Sequence, residues 1–446
     1  MPPVATSPAA TSSAATSRIV TDLVCGFCGL GCDDLEVKVQ GRAVRPRSAC
    51  PEAAALLERS DGEPPVPRVA GRETSLEEAA ARAGSLLSGS RSAVFSGLGA
   101  DVDGLRGVFD LAMRFGASFD HAASSGLFRN LDTLQRRGWI ATTLAEVRNR
   151  CDLLVVVGAD PTPDFARFFE RALPAASSDP QDSDAAPLFT GRTCARRVVF
   201  LGDLAGPAAR AALAGNEISH IPVPPPLLAD AMAGINAFVD GRSVKTLGGA
   251  FDGALGAALA ELAGALKAAR YGVLTWNAGA LDPAEGERIV GHAAAIVAKL
   301  NETTRAAVFP LGGRDNLIGA HQMALWRFGY PLRTLVAHGE ASHAPGLYAT
   351  SRAVRDADLL LHVSAFRPDP PPAFSSGPLI ALAHPHTEFP REPDVFIPVG
   401  TPGVDHAGQV FRMDSVVCLP LVKLREAGLA SVAQAAAAIL QSVRAP

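Results

Sequence analysis

The chain has 446 residues, of which 48% are hydrophobic and 19% charged, so it is long enough for two or three packed units with a sizeable core. The formal net charge of −4 gives no reason to expect nucleic acid or an anionic membrane as a partner. No stretch approaches the ~20 apolar residues that cross a bilayer, and seven cysteines, an odd number, argue against a disulfide framework.

Residues 1–19 are predicted to form a disordered leader. The segment MPPVATSPAATSSAATS consists mostly of Pro, Ala, Ser and Thr, which cannot supply a packed core. It lacks the basic start and the continuous apolar stretch of an export signal. We therefore expect the protein in the cytoplasm.

Residues 20–62 are predicted to form a small N-terminal subdomain that carries most of the cysteines. The segment DLEVKVQGRAVR alternates apolar and polar residues, which is typical of two strands joined by a Gly-Arg turn. The segment PEAAALLERS then predicts a helix that begins at Pro51. A Pro-rich connector follows and marks a boundary.

Residues 63–390 are predicted to form α/β domains with parallel, Rossmann-like sheets. Short apolar runs such as SAVFSGLG, CDLLVVVGADP, RRVVFLGDL and YGVLTWNAG alternate with helical segments, which is typical of parallel strands covered on both faces. The segment SGLGADVDGLRG lacks the last glycine of a nucleotide-binding fingerprint, so it predicts a plain strand-to-helix turn. Residues 174–193 predict a loop insertion, and residues 391–446 form a C-terminal segment.

Four cysteines follow the spacing C-x2-C-x3-C-x17-C, namely Cys25, Cys28, Cys32 and Cys50. Short intervals let three thiols converge on one inorganic core, and the expected hairpin returns the fourth to them. A [4Fe–4S] cluster is the favoured interpretation. A structural zinc ion is the second, although zinc ribbons usually pair two short knuckles. The third is a set of reduced, unligated thiols.

Other candidate sites in the sequence are weaker. His384 and His386 could be taken for a metal pair, but the proline between them favours a turn and no third ligand is close in sequence. Nothing resembles G-x-S-x-G, a P-loop or H-E-x-x-H. The chain therefore does not look like a self-sufficient hydrolase.

The segment CGFCGLGCDDLEV, with two aspartates after the third cysteine, resembles the start of the B subunit of formylmethanofuran dehydrogenase, in the molybdopterin oxidoreductase superfamily. The similarity continues in order at FGASFDHAASSGLFRN, EVRNRCDLLVVVGADP, WRFGYPLRT and FIPVGTPGVDHAGQVFRMDSV. It implies a multi-domain, formate dehydrogenase-like fold around a bis-pterin cofactor, with the C-terminal segment closing over that site. It also implies interconversion of carbon dioxide and formylmethanofuran.

In that family a cysteine soon after a Ser-Ser pair binds tungsten or molybdenum together with the pterin dithiolenes. The pair here is Ser124-Ser125, and the ligand position falls on Gly126 or Leu127. Neither residue can coordinate a metal, so the resemblance implies that the molybdenum or tungsten bis-pterin is absent. Asp405-His406 aligns with a stretch that approaches the pterin in the family. Without that cofactor it keeps a packing role.

This combination is similar to the B subunit of the formyltransferase/hydrolase complex of methylotrophic bacteria that use tetrahydromethanopterin. There the chemistry belongs to other subunits: an amidohydrolase-like A, a glutamate-synthase-like C and a formyltransferase D. We expect this chain to be such a non-redox, structural B subunit that retains a [4Fe–4S] cluster at its four cysteines. One alternative is an active molybdenum or tungsten subunit whose metal takes water or hydroxide in place of the thiolate. The other is a stand-alone, zinc-stabilised binding module.

Overall fold

The computed structural model of the protein describes residues 17–174, 196–242 and 253–443. Residues 1–16 of the expected leader, residues 175–193 of the expected loop insertion, and Cys194 lie outside these ranges. The first strand begins at Ser17. Residues 17–19 therefore belong to a sheet and not to the expected leader.

The N-terminal segment folds as a three-stranded antiparallel sheet followed by a short helix. The strands are β1 (Ser17–Leu23), β2 (Leu35–Gln40) and β3 (Ala43–Ser48), and the helix is α1 (Pro51–Leu57). The alternation in β2 buries every second side chain, as a half-buried strand requires. The predicted hairpin and the predicted helix start at Pro51 are both confirmed.

Further strands and helices follow along the chain. The strands are β4 (Arg68–Val69), β5 (Arg72–Glu73), β6 (Ala93–Gly99), β7 (Ala117–Phe119), β8 (Leu153–Gly158), β9 (Arg197–Gly202), β10 (Glu217–Pro222), β11 (Gly272–Asn277), β12 (Ala306–Leu311), β13 (Thr334–Ala337), β14 (Glu340–His343), β15 (Leu359–Ser364), β16 (Leu379–Ala383), β17 (Val395–Pro398), β18 (Gly408–Phe411) and β19 (Cys418–Leu421).

The helices are α2 (Leu76–Gly89), α3 (Val102–Phe115), α4 (Ser124–Arg137), α5 (Leu144–Arg150), α6 (Phe168–Ala172), α7 (Pro207–Ala212), α8 (Leu228–Val239), α9 (Gly253–Ala268), α10 (Gly286–Leu300), α11 (Leu317–Phe328), α12 (Pro345–Tyr348), α13 (Thr350–Ala353) and α14 (Val432–Ser442). Asp101 caps α3 by accepting a hydrogen bond from Gly104 N, and Gly116 ends that helix. The predicted plain strand-to-helix turn after β6 is therefore what the chain forms.

Two large sheets make the framework, and one is inserted into the other along the sequence. The nine-stranded sheet has the order β14-β13-β7-β6-β15-β16-β17-β4-β5. The five-stranded sheet has the order β10-β9-β8-β11-β12, and all its pairings are parallel. The chain leaves the first sheet after β7, completes the second, and returns at β13. The predicted α/β class with parallel sheets is confirmed.

The cysteine-bearing segment shares its core with the five-stranded sheet. Leu30, Leu35 and Val37 lie in one buried cluster with Val156 of β8 and Phe200 of β9. The segment is thus packed as part of the larger body, because its apolar face has no separate core of its own.

The C-terminal residues do not follow the expected boundary at residue 391. Strand β17 lies inside the nine-stranded sheet, between β16 and β4, so a division there would cut the sheet. Helix α14 packs on α2 and α3 and buries Val432, Ala435, Ala436 and Ile439. No helix in the described ranges combines the length and apolar character that a membrane crossing requires.

Candidate functional site

Two cavities lie on either side of the first turn of α4. Ser124 and Ser125 line the first, which has a volume of about 370 Å3. Gly126 and Leu127 line the second, with a volume of about 620 Å3. The first lies where β6 and β15 end, and the second where β11 and β12 end. Because open α/β sheets bind ligands at the carboxyl ends of their strands, both cavities are candidate binding sites.

Most of the residues that line the first cavity are of polar type, and we call it the polar cavity. At its centre Asp120 accepts hydrogen bonds from the N–H groups of His121 at 2.9 Å and Thr350 at 3.0 Å. Arg333 Nε lies 3.4 Å from the same carboxylate, and Arg333 Nη2 donates to Ser124 Oγ at 3.1 Å. Burial raises the pKa of Asp120, and the guanidinium of Arg333 opposes that rise.

Two buried histidines of the polar cavity are held neutral. His362 places Nδ1 at 3.1 Å from Ser96 Oγ, and its Nε2 contacts a backbone carbonyl at 3.2 Å. His121 accepts from Ala123 N through Nδ1 at 3.0 Å and donates through Nε2 to the Asp315 carbonyl at 3.2 Å. Burial lowers the pKa of both imidazoles to about 4. Their ring nitrogens are engaged, so they position the wall of the cavity.

Mostly apolar residues line the second cavity, which we call the apolar cavity; they include Leu127, Leu131, Trp139, Phe165, Phe309 and Leu317. Helix α11 presents Leu317, His321 and Leu325 at intervals of four residues, so one face of that helix forms a wall. The C-terminal segment contributes Met413 and Asp414. It therefore closes one side of this cavity.

Gly126 is one of the two positions where the resemblance places the metal-binding cysteine, and its surroundings leave little room for a side chain. A Cβ atom at Gly126 would lie 2.8 Å from the Ala278 carbonyl carbon and 2.9 Å from Gly279 N. Leu127 lines the cavity with hydrocarbon. Cys28 is the only cysteine in the described lining of either cavity. The residues at this position do not fit a bis-pterin metal centre held by a protein thiolate.

A network of ion pairs has members in the linings of both cavities. Arg367 Nε donates to both carboxylate oxygens of Asp315 at 2.8 Å, and Arg367 Nη1 donates to Glu52 at 2.8 Å. Arg314 pairs with Asp315 at 3.0 Å and with Asp369. Burial raises the pKa of Asp315, and Arg367 and Arg314 oppose that rise. The charges are thus compensated inside the wall, as buried charges must be.

The loop between β1 and β2, residues 24–34, which we call the cysteine loop, is joined to the apolar cavity by backbone contacts. Asp315 N donates to Phe27 O at 2.8 Å, and Met413 N donates to Gly29 O at 2.8 Å. Gly29 has φ of 90°, and a Cβ there would lie 2.9 Å from the Gly313 carbonyl, so only glycine allows this approach. These contacts place Cys28 in the cavity wall.

The four predicted metal ligands lie near one another without forming a metal-binding group. Cys25 N donates to Cys32 O at 2.7 Å, while Cys50 Sγ accepts from Ala53 N as the cap of α1. Burial is the main cause that raises the pKa of Cys25, of Cys28 to about 12 and of Cys32 to about 11. Among described residues, no three His, Cys, Asp or Glu side chains gather as a metal site. Ligation of a cluster or of zinc stays a prediction.

Two of the weaker candidates from the sequence, His384 and Asp405, each contact an arginine side chain. His384 Nε2 lies 3.1 Å from Arg59 Nη2, and burial together with Arg59 lowers the pKa of His384 to about 3. Asp405 accepts from Arg425 Nε at 2.6 Å and caps a backbone turn at Thr401. Both side chains therefore contribute to the packing of the protein interior.

Sequence reasoning missed Arg333, Arg367, Asp315 and His321, the polar side chains that give the cavity walls their chemistry. Asp315 follows the apolar run of β12 in the segment GGRDN, and polar residues directly after a buried strand are a usable signal. The two arginines gave no such signal, because their partners lie far away in the chain.

Comparison with known proteins gives relatives along nearly the whole length. No family model matches the chain. The B subunit of a tungsten-containing formylmethanofuran dehydrogenase 2 from Methanocaldococcus jannaschii is 25% identical over 424 residues, covering 90% of this chain and 92% of that protein. The B subunit of the formyltransferase/hydrolase complex Fhc from Methylorubrum extorquens is 26% identical over 352 residues, covering 77% and 87%.

A solved structure agrees with these relatives. The crystal structure of the formyltransferase/hydrolase complex FhcABCD from Methylorubrum extorquens, in complex with methylofuran, contains a chain that matches with a TM-score of 0.67 and 25% identity. The match covers 85% of this chain and 99% of that chain. The resemblance found in the sequence is thereby confirmed: the chain is a homologue of the B subunits of formylmethanofuran dehydrogenase and of the formyltransferase/hydrolase complex.

Proposed function

We propose that this chain is the B subunit of a formyltransferase/hydrolase-type complex in tetrahydromethanopterin-linked one-carbon metabolism, and that it carries out no redox chemistry itself. The observation that carries the proposal is Gly126. A Cβ atom at Gly126 would lie 2.8 Å from the Ala278 carbonyl carbon and 2.9 Å from Gly279 N, so a cysteine there would require the backbone to shift. A molybdopterin-type centre with a protein thiolate ligand therefore has no ligand at the expected place.

The surroundings of Gly126 support a structural role. The two cavities remain, but ion pairs with Arg367 and Arg314 compensate the charges of Asp315 and Glu52 within the wall. The fold of a molybdopterin oxidoreductase would thus be kept as a scaffold around a site without its metal ligand. Formyl transfer and hydrolysis would take place on sister subunits of amidohydrolase-like, glutamate-synthase-like and formyltransferase type.

A [4Fe–4S] cluster at Cys25, Cys28, Cys32 and Cys50 is compatible with this role as a structural element. Ionised Cys28, Cys32 and Cys50 would each raise the pKa of Cys25, so Cys50, at the start of α1, lies near the three thiols of the loop. Metal ligation needs thiolates, and a bound cluster would have to offset the cost of ionising buried thiols. The cluster would then fasten the loop to the wall of the apolar cavity.

Anaerobic co-purification tests the proposal. The full chain is produced with a purification tag alongside its sister subunits, and the complex is analysed for tungsten, molybdenum, iron and zinc. We expect the sister subunits to co-purify, formyl-group hydrolysis in the complex, and no stoichiometric tungsten or molybdenum.

Two results would overturn it. About one tungsten or molybdenum per chain, with reduction of a redox dye, would establish the alternative of an active oxidoreductase subunit. A chain that purifies alone, with hydrolysis unaffected by its removal, would exclude a place in the complex.

A further inference from the structure

The apolar cavity is large enough to bind a small molecule. Its volume of about 620 Å3 lies within the range of roughly 300–1,000 Å3 found for ligand pockets. Trp139, Phe165 and Phe309 contribute aromatic rings to its wall, and Leu131 of α4 and Leu317 of α11 contribute aliphatic side chains. Such a lining favours a ligand with a flat, apolar body.

The arginines at this cavity leave no excess of positive charge in its wall. Arg314 and Arg367 are shared among three carboxylates, which belong to Glu52, Asp315 and Asp369. Both guanidinium groups are therefore compensated within the protein. An anionic ligand would find neither of them without a carboxylate partner.

The other two charged residues in the described lining of this cavity are Asp164 and Asp414. Asp414 accepts from Arg412 Nε at 2.9 Å and, through its other oxygen, from Arg412 Nη2 at 2.7 Å, so its charge is compensated. The carboxylate of Asp164 has no ion pair with any described residue, and its side-chain partner is the uncharged amide of Asn277. The wall thus carries one uncompensated negative charge.

The carboxylate of Asp164 is held in place at the open end of the cavity. Asn277 Nδ2 donates to Asp164 Oδ2 at 2.5 Å, and Asn277 Oδ1 accepts from Gly279 N at 3.1 Å, so both ends of the amide are engaged. Asp164 Oδ1 accepts no hydrogen bond from the described part of the chain. Because Asp164 is exposed and lines the cavity, its carboxylate lies where the cavity meets solvent.

We propose that the apolar cavity binds a small organic cation, namely a ring-containing primary or secondary amine whose ammonium group pairs with Asp164. The ring occupies the apolar interior, and the charged end stays at the mouth. Trp139, Phe165 and Phe309 support the same preference, because the faces of aromatic rings attract cations. A hard metal ion takes several oxygen ligands, whereas one carboxylate is enough for an ammonium group. The proposal goes beyond membership of a complex, because it concerns side chains of this chain alone.

Three naphthalene derivatives that differ in one group test the proposal by equilibrium dialysis against the full chain. They are 1-naphthylmethylamine, 1-naphthalenemethanol and 1-naphthaleneacetate, which carry an ammonium, a hydroxyl and a carboxylate group at neutral pH. We expect one saturable equivalent of the amine per chain, weaker binding of the alcohol, and the weakest binding of the acetate. The amine should bind roughly three- to tenfold more tightly than the alcohol, the modest effect of a partly exposed ion pair. Added salt should reduce this difference.

Removal of the carboxylate charge assigns the ammonium group. Asp164→Asn keeps an acceptor for Asn277 and is expected to weaken the amine to the affinity of the alcohol, while the affinity of the alcohol stays unchanged. Asp203→Asn is the matched control, because Asp203 is exposed, follows the neighbouring strand β9 and lies outside the lining of the cavity. It removes the same charge and should leave both affinities unchanged.

A second substitution places the ring in the cavity. Gly312 lines the cavity, and a Cβ there would meet no atom within 4 Å. Gly312→Leu therefore occupies part of the volume without a clash at Cβ. We expect it to weaken the amine and the alcohol alike, and it keeps the proposal open to refutation even if Asp164→Asn fails to fold.

Four results would overturn the proposal: no saturable binding of the amine, binding of the acetate as tight as that of the amine, an unchanged preference for the amine in Asp164→Asn, or unchanged affinities in Gly312→Leu. None of these measurements involves the sister subunits. Loss of amine binding with intact co-purification would leave the proposed complex standing, and the reverse result would leave the amine site standing.

Discussion

At the scale of single residues, Gly126 decides what the first turn of α4 can do. The sequence shows only that a cysteine is missing, whereas the structure shows that the backbone at Ala278 and Gly279 occupies the space around the vacant Cβ position. A cysteine introduced at Gly126 would therefore meet this backbone. The lack of a cysteine at Gly126 and the close packing of backbone around this residue are therefore one structural feature.

We expect Gly126→Cys to destabilise the protein by about 1–3 kcal/mol, because the new side chain overpacks against fixed backbone. The measurement is the free energy of unfolding in urea, together with tungsten content after growth with tungstate. Gly291→Ala in α10 is the matched control, since nothing lies within 4 Å of its Cβ position, and it should be neutral or slightly stabilising. A Gly126→Cys variant of full stability that retains tungsten would contradict this account.

The cysteines make a second prediction at this scale. If Cys25, Cys28, Cys32 and Cys50 bind a [4Fe–4S] cluster, Cys28→Ser should lower the iron content from about four atoms per chain and bleach the visible absorbance. Cys418→Ser is the control, because Cys418 is exposed and lies in another strand. Equal iron content in both variants would show that the four thiols are not the ligands.

At the scale of elements, α6 is fastened to the cysteine loop by arginines. Arg167 donates to both oxygens of Asp34 at 2.6 Å, and Arg171 donates to Asp33 at 2.5 Å. The hydrogen bond from Arg167, together with the positive charge of its guanidinium group, lowers the pKa of Asp34. The pair of aspartates that follows Cys32 in the sequence thus has a structural partner.

We expect Arg167→Leu to loosen the cysteine loop with only a small loss of global stability, below about 1 kcal/mol, because the partner carboxylate is partly exposed. Hydrogen exchange of residues 24–34 should become faster. Arg106→Leu, which removes an exposed pair with Asp103 elsewhere, is the control and should leave that loop unchanged. Unchanged exchange in Arg167→Leu would show that the loop is held by its core contacts alone.

The elements that the sequence predicted well are those with strong local patterns. Buried runs of Val and Leu gave β8, β9 and β11, and the helix start at Pro51 came from proline chemistry. The cavities could not be predicted, because their walls come from distant segments. Ser96 and His362, for example, meet across 266 residues of chain. Local spacing carries no information about such encounters.

At the scale of the whole molecule, the buried histidines predict sensitivity to acid. Burial lowers the pKa of His121, His321 and His362 to about 4 and that of His384 to about 3, against 6.5 for a free imidazole. Below pH 6.5, these histidines therefore bind protons in the unfolded chain that they do not bind in the folded chain. The stability that these groups contribute is complete above pH 6.5 and is lost as the pH falls towards 4.

We expect the free energy of unfolding to drop by up to about 1.4 kcal/mol per histidine for each pH unit between pH 6 and pH 4.5. Urea titrations at pH 7.5, 6.0 and 5.0 measure this slope. His362→Asn should reduce the slope, whereas substitution of the exposed His338 should not. A flat stability profile across this range would contradict the neutral, buried state of these rings.

The nested order of the two large sheets has a consequence during protein synthesis. Strand β6 leaves the ribosome early, but its neighbour β15 follows about 266 residues later. At roughly 5–20 residues per second, the growing chain holds one side of β6 without its partner for tens of seconds. Over that interval an apolar strand presents an unpaired edge, which is the feature that draws nascent chains into aggregation. The long sequence separation of β6 and β15 thus leaves this edge open to other chains until most of the protein has been synthesised.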